Sequence, residues 1–191
     1  MSSPAPRQTL QQRVEAAILD GAARTFAAQG EHASMNDVAA ASGVARATVY
    51  RYFPNRQALL DALAGAAVGE AEALLAAARI DEVAPEEGVA RAVRALVDVG
   101  DSFVLLARER LHSDPERFER SLAQPLRRLF ERGQETGDLR ADIASAHLTE
   151  SLIGMVVGVL TSTPVLGKED MIATITALFV DGARARRPRL S

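Results

Sequence analysis

Hydrophobic residues recur along this chain at the spacing of a helix, and nowhere do they alternate as in a strand. Val14, Ile18, Ala22 and Phe26 stand four residues apart and predict a first helix from residue 9 to residue 29. The same spacing predicts longer helices over residues 55–80, 85–111, 115–135, 142–161 and 168–184. Pro125 is expected to kink or break one of them. With two shorter helices after the first, the pattern predicts an all-α fold of about nine helices.

The segment after the first helix carries the signals of two short helices joined by a tight turn. Ser34 is expected to cap the first of them by accepting a backbone N–H of its opening turn. Gly43 falls at the turn, where the backbone needs a left-handed conformation. Pro54 ends the second short helix, and Asn55 caps the long helix that follows. This arrangement over residues 35–54 is typical of a helix-turn-helix, which makes double-stranded DNA the first partner to consider.

The second short helix is expected to have one buried side and one exposed side. Val49 and Phe53, four residues apart, give it a buried stripe. From Arg46 to Arg56 the chain has three Arg and no acidic residue. Phosphate contacts need positive charge and hydrogen-bond donors without competing carboxylates. The pattern therefore favours DNA binding over an ordinary helical hairpin, which would also show a helix, a glycine turn and a helix.

The runs AAASGV and TVYRYFPNRQALL are more specific than a generic helix-turn-helix. With the residues around them they resemble the N-terminal domain of the TetR family of bacterial transcriptional regulators, from about Val14 to about Leu63. The matching positions are Phe26, Gly30, Val38, Ala39, Ser42, Gly43, Val44, Thr48, Val49, Tyr50, Tyr52, Phe53, Asn55, Leu59 and Leu60. Ala45 departs from the pattern, since many members have a capping Ser there, and losing such a cap costs about 1 kcal/mol.

The resemblance and the side-chain chemistry together predict the DNA contacts. The predicted residues are Ser34, Arg46, Ala47, Thr48, Tyr50, Arg51, Tyr52, Asn55 and Arg56. Arg46, Ala47 and Arg51 are the candidates for reading bases, because Arg pairs with guanine and Ala contacts the thymine methyl. Most of the others are expected to hold phosphates, as their counterparts do in the resembled family. For Tyr52, packing against the first helix stands as an alternative.

The pattern predicts four segments of the chain. Residues 1–8 are a disordered tail, residues 9–57 a helix-turn-helix DNA-binding domain, residues 58–187 a helical regulatory and dimerisation domain, and residues 188–191 a second tail.

The net charge of the chain differs between the N-terminal segment that includes the DNA-binding domain and the rest of the chain. The first 57 residues hold six Arg and four acids, for a net charge of +2, whereas the remainder holds 16 basic and 21 acidic residues, for −5. A weakly positive head on an acidic body fits one end facing DNA.

The helix from residue 142 to residue 161 is apolar on nearly all sides in its second half, so it needs neighbours on both faces. We expect this helix and the last one to pair with their copies in a second subunit as a four-helix bundle, which the resemblance also implies. The residues predicted at that interface are Leu152, Gly154, Val157, Gly158, Ile175 and Phe179. Burial within one subunit is the alternative.

The resemblance further implies a small-molecule site in the helical body. The candidate lining residues are Phe103, Leu106, His112, Leu126, Phe130, His147 and Met155. Each of them is equally compatible with an ordinary core or surface position. Because most are apolar, the effector is expected to be apolar or amphipathic rather than highly charged.

Composition argues against several other classes of protein. The chain has no Cys and three scattered His, so it offers no disulfide, no thiolate chemistry and no metal-ligand spacing, and no cofactor is predicted. No nucleophile–base pair or phosphate-binding glycine loop supports an enzyme. No apolar run is long enough to span a bilayer, so a cytoplasmic location is expected. The sequence predicts a ligand-responsive repressor that binds a near-palindromic operator as a homodimer. The alternative is an all-helical small-molecule-binding protein whose helix-turn-helix does not function.

Overall fold

The computed structural model of the chain describes residues 6–100, 115–162 and 167–185, and these residues form helices and no strand. The α-helices are α1 (Pro6–Gln29), α2 (Met35–Ser42), α3 (Arg46–Tyr52), α4 (Arg56–Ala78), α5 (Pro85–Val99), α6 (Pro115–Phe118), α7 (Gln124–Glu135), α8 (Ser145–Thr161) and α9 (Lys168–Ala183). A 3₁₀ turn (Gly30–His32) follows α1, and a π-helical turn (Glu119–Ala123) joins α6 to α7. The predicted all-α fold is confirmed.

Contacts divide the chain into two compact units, the first of which contains α1 to α3 and the start of α4 as far as Ala66. Its core is the predicted apolar stripe of α1 packed on residues from α2, α3 and α4. Ile18, Phe26, Val38, Val49 and Leu59 are all fully buried there, with at most 2% of their surface exposed. The two short helices thus obtain their stability from packing, since helices of this length are marginal alone.

The second unit contains the rest of the described chain. In it α5 packs against α7, α8 and α9, and its Leu96 is completely buried. Phe130 of α7 and Phe179 of α9 meet in the core with their ring centroids 5.5 Å apart. Two Arg–carboxylate pairs join α5 to the two ends of α9. Arg94 binds Glu169, in the first turn of α9, through two hydrogen bonds of 2.8 and 2.6 Å. Arg184, directly after α9, binds Glu86.

Several helix ends differ from the prediction. The first helix begins at Pro6, inside the segment expected to be a tail, because Pro is well suited to an opening turn. The helix predicted to run to residue 111 ends at Val99, where Gly100 takes a φ of 63°. The eighth helix begins at Ser145 rather than Asp142, whose carboxylate binds Arg140 instead. Residues 101–114, over which the predicted helix continued, lie outside the described residues.

The interruption expected at Pro125 is present and takes the form of the π-helical turn. The Gln124 N–H donates to the Glu119 carbonyl, five residues earlier, instead of to the usual partner four residues earlier. Proline has no N–H to continue the α-helical ladder, so the chain changes its hydrogen-bond register just before Pro125.

Candidate nucleic-acid interface

The start of α2 is held by a capping box, as the sequence predicts for Ser34. The Ser34 hydroxyl accepts the Asp37 backbone N–H at 3.2 Å, and the Asp37 carboxylate accepts the Ser34 N–H at 3.0 Å and its hydroxyl proton at 2.6 Å. These hydrogen bonds hold the pKa of the Asp37 carboxyl below its ordinary value. The Ser34 hydroxyl therefore orders α2, and any phosphate contact from it would compete with Asp37.

The turn between α2 and α3 is closed by a Schellman motif. Gly43 has a φ of 66°, the left-handed conformation that the sequence indicated, and its N–H donates to the Ala40 carbonyl. The Val44 N–H donates to the Ala39 carbonyl at 3.2 Å, and the Val44 side chain packs on the core of the unit. This geometry fixes the direction in which α3 leaves the turn.

A close approach of α1 and α2, which sequence reasoning missed, holds the motif from behind. A Cβ placed on Gly21 would lie 2.7 Å from the Ser42 nitrogen and 2.8 Å from its Cα, closer than real Cβ atoms come. Arg24 reinforces the contact, because its Nη2 donates to the Ala41 carbonyl at 3.1 Å. The available signal was an isolated Gly within a helical pattern, which often marks close packing.

The outward side of α3 carries the residues predicted to read bases. Arg46, Ala47 and Arg51 are exposed, whereas Val49 is completely buried. The structure places no acidic side chain on this seven-residue helix. Its start has no side-chain cap, because Ala45 stands at the capping position. The exposed surface can thus offer cationic donors and a small apolar residue to a groove of DNA.

Each arginine of α3 lies over a tyrosine ring of the same helix. The Arg46 guanidinium carbon is 5.5 Å from the centroid of the Tyr50 ring, and that of Arg51 is 5.6 Å from the Tyr52 ring. Tyr50 is 38% exposed, while Tyr52 is half-buried and packs against the core of the unit. The tyrosines therefore support the two cations, and Tyr52 also does the packing that was the alternative to phosphate contact.

The start of α4 supplies the last predicted contacts. Asn55 caps this helix as expected, since its Oδ1 accepts the Ala58 N–H at 2.8 Å. Arg56 takes an unforeseen position, with its guanidinium carbon 4.9 Å from the centroid of the buried Phe26 ring. Its Nε and Nη2 are buried without a hydrogen-bond partner in the described chain. Leaving charged donors buried without a partner costs free energy.

The structure corrects part of the predicted dimer surface. Leu152, Ile175 and Phe179 are buried in the core of the second unit, with at most 5% exposed, so they offer almost no surface to a partner. They belong to the subunit itself, as the alternative held. Gly154 and Gly158 are exposed and Val157 is half-buried, so these three remain accessible to a second copy.

The predicted ligand pocket is corrected in the same way. Leu126 and Phe130 are fully buried core residues, and His147 is exposed on the first turn of α8. Met155 is half-buried. None of these four side chains lines the cleft of the second unit that lies between α4 and α7. The other predicted lining residues, Phe103, Leu106 and His112, lie outside the described residues.

Comparisons with known proteins agree with this geometry. Residues 18–63 match the family described as bacterial regulatory proteins, tetR family. A segment of 64 residues is 47% identical to the HTH-type transcriptional repressor LfrR of Mycolicibacterium smegmatis. This match covers 34% of the present chain and only about a third of the length of that curated relative.

Two solved structures share the fold over most of their length. LfrR from Mycobacterium smegmatis in complex with proflavine superimposes with a TM-score of 0.76 at 22% identity, covering 93% of this chain and 99% of that one. AibR in complex with isovaleryl coenzyme A and operator DNA gives a TM-score of 0.71 at 19% identity, covering 86% and 97%. The protein is thus an all-α chain with an N-terminal helix-turn-helix. Its helix-turn-helix segment, residues 18–63, is the part that matches the TetR family of bacterial regulatory proteins.

Proposed function

We propose that this protein is a sequence-specific DNA-binding transcriptional regulator, acting as a ligand-responsive repressor at a near-palindromic operator. In this proposal residues 9–57 bind DNA, and residues 58–187 bind the effector and form the homodimer. We assign it to the cytoplasm, where the bacterial chromosome is. In the described part of the chain, no helix has both the length and the hydropathy that a membrane span requires.

The observation that carries the proposal is the outward side of α3. The Schellman turn joins this helix to α2, and the close approach at Gly21 holds α2 against α1, so the exposed face of α3 has a defined orientation. The face presents Arg46 and Arg51 and no carboxylate. A rigid, cationic, acid-free helix at the surface suits the major groove of DNA.

The relatives support the regulatory part of the proposal. LfrR is described as a repressor, and AibR has been solved with both isovaleryl coenzyme A and operator DNA. The full-length likeness to these structures covers the helical body as well as the head. We extend to this chain the combination of a DNA-binding head and an effector-binding body.

Support for the dimer comes from surfaces of α8 and α9. On α8, Gly154 and Gly158 are exposed four residues apart, with no other part of the described chain within 4 Å of a Cβ built on either. On α9, Leu178 is 63% exposed and adds an apolar side chain to the surface. A twofold dimer relates its two α3 helices by symmetry, so an operator that both of them bind would be an inverted repeat.

Selection from a random pool of double-stranded DNA with the purified protein tests the proposal. We expect enrichment of an inverted repeat whose half-sites are separated by about one helical turn, 10–10.5 base pairs. The control is the same chain with Arg46→Ala and Arg51→Ala, both at exposed positions, which should fold equally well and enrich nothing. If the folded parent also enriches nothing and shows no salt-dependent DNA binding, the protein is instead a helical ligand-binding protein with an inactive head.

A further inference from the structure

One cleft of the second unit lies between the C-terminal part of α4 and the outward side of the π-helical turn and α7. Its volume is about 390 Å³, within the range of small-molecule sites. Leu75, Ile80, Pro125 and Leu129 give it an apolar floor. Leu129 and Ile80 are buried, so this floor belongs to the rigid core of the unit.

The rim of the cleft is charged and its balance is positive. Arg120, Arg128 and Arg132 stand there against Glu72 and Asp81. A site with an apolar floor and arginine side chains on its rim is complementary to a molecule with an apolar body and a negatively charged group.

The three arginines differ in how many of their hydrogen-bond donors are already paired within the protein. Arg132 is committed to the protein, because it donates to the carbonyls of Ile80, Asp81 and Val83 at 2.7, 2.8 and 3.0 Å. Arg120 has a loose ion pair with Glu116 at 3.4 Å.

Arg128 is exposed and makes no hydrogen bond or ion pair with any residue that the structure describes. It is therefore the donor with full capacity for an anion, and a guanidinium can hold a carboxylate or sulfonate through two hydrogen bonds.

A hydroxyl group adds a second polar element. Ser121, in the π-helical turn, is buried to 8% exposure and lines the cleft, and its side chain has no hydrogen-bond partner in the described chain. Ser121 lies in the π-helical turn in front of Pro125. Turns of this type occur frequently at functional sites.

We infer that this cleft binds a small amphipathic monoanion, whose apolar body lies on Leu75, Pro125 and Leu129 and whose acidic group is held by Arg128, with Ser121 as an additional donor. The site lies on the outward side of α7, away from the buried residues Leu126 and Phe130. That the ligand regulates DNA binding rests on the function proposed above, whereas its binding to the cleft does not.

A matched pair of fluorescent probes tests the inference. Anilinonaphthalene sulfonate carries an apolar body and one negative charge, and N-phenylnaphthylamine has the same ring skeleton without the charge. We expect the sulfonate to bind the intact protein and the neutral probe to bind at least about tenfold more weakly. Equal affinity for the two probes, or no binding of the sulfonate, would overturn the anionic class.

Four variants at three exposed positions locate the site. Arg128→Gln should raise the Kd of the sulfonate about tenfold and leave that of the neutral probe unchanged, while Arg128→Lys should retain most of the affinity. Ala76→Phe, which fills the cleft from α4, should abolish binding of both probes. Arg13→Gln, an exposed arginine of the first unit, is the charge-matched control. Unchanged sulfonate binding in Ala76→Phe would place the probe elsewhere and refute the site.

The regulatory part is tested separately with the duplex enriched by selection. Saturating sulfonate should weaken the binding of that duplex to the parent but leave its binding to Ala76→Phe unchanged. If the probes behave as expected and operator affinity does not change, the cleft is a binding site without regulatory effect. If no duplex is enriched, the proposed function fails, while the probe result stands independently.

Discussion

Gly21 of α1 and Ser42 of α2 bring the backbones of the two helices into direct contact, since a Cβ on Gly21 would lie 2.7 Å from the Ser42 nitrogen. Ser42 is the last residue of α2, directly before the turn that sets the direction of α3. The contact between these two residues therefore influences the direction of α3, whose outward side is the candidate DNA-binding surface. A contact made by backbone atoms leaves no flexible side chain to give way.

Gly21→Ala should consequently destabilise the first unit. We expect a loss of about 1–3 kcal/mol in the free energy of unfolding, the usual cost of overpacking, with weaker DNA binding by the fraction that stays folded. Urea unfolding followed by circular dichroism measures the loss. Gly182→Ala is the control, since no part of the described chain outside its own helix lies within 4 Å of its Cβ position and α9 should gain up to about 1 kcal/mol. Equal stability of the two variants would contradict the close approach.

The capping box of α2 predicts a pH dependence with a defined sign. Folding lowers the pKa of Asp37 through its hydrogen bonds to Ser34, so the charged carboxylate is favoured in the folded state. Its contribution is complete above about pH 4 and is lost as the pH falls through the lowered value. The difference in unfolding free energy between the parent and Asp37→Asn should therefore stay constant above about pH 5 and shrink as the pH falls below about 4.

A charge-removing control distinguishes this effect from general acid denaturation. Glu70→Gln changes an exposed carboxylate of α4 that has no hydrogen-bond partner in the described chain. Its difference from the parent should vary less with pH than that of Asp37→Asn. The opposite ranking would show that the capping box does not carry the dependence.

Because Arg46 stacks on Tyr50, substitutions of this tyrosine can alter both the affinity for DNA and the sequence preference. Tyr50→Phe keeps the ring beneath the guanidinium and removes only the hydroxyl, so it should weaken binding to all sequences similarly. Tyr50→Ala also frees Arg46 and should in addition relax the preference at the base that Arg46 reads, as Arg46→Ala does. Binding to a set of operator variants measures both effects. If Tyr50→Ala and Tyr50→Phe have identical profiles, the stack does not position the arginine.

Arg56 provides a test that separates stability from DNA contact. Its Nε and Nη2 are buried without partners, so Arg56→Met should leave stability unchanged or raise it slightly. If Arg56 contacts a phosphate, the same change should reduce the slope of log K against log salt by about 1. Arg120→Met, at an exposed site of the second unit, should leave the slope unaltered. An unchanged slope in Arg56→Met would assign this arginine to packing on Phe26 alone.

The local signals of the helix-turn-helix were readable from the sequence because each acts within a few residues. Ser34 caps the turn that follows it, and Gly43 supplies a left-handed conformation at its own position. Asn55 caps α4 through a residue three positions ahead. Hydrophobic spacing likewise indicates which side of a single helix is buried, as for Val49. Helix type, helix order and the exposed side of α3 follow from such short-range relationships.

Only the tertiary structure shows which residues distant in sequence pack against one another. Periodicity showed that Leu152, Ile175 and Phe179 are buried, but not whether a neighbour in the same chain or a second subunit buries them. The same holds for Leu126 and Phe130, which fill the core where a ligand was expected. The spacing of apolar residues is identical in these cases, because burial by any neighbour removes the same surface from water.

The sequence by itself thus determined the all-helical fold and the helix-turn-helix with its cationic, acid-free face, since caps, turns and periodicity are properties of short segments. Only the tertiary structure decided the contact of Gly21 with Ser42, the stacking of Arg56 on Phe26 and the cleft beside Arg128. Each of these joins residues from different helices. Their proximity depends on how helices cross, which is set by the packing of the whole unit and by no single segment.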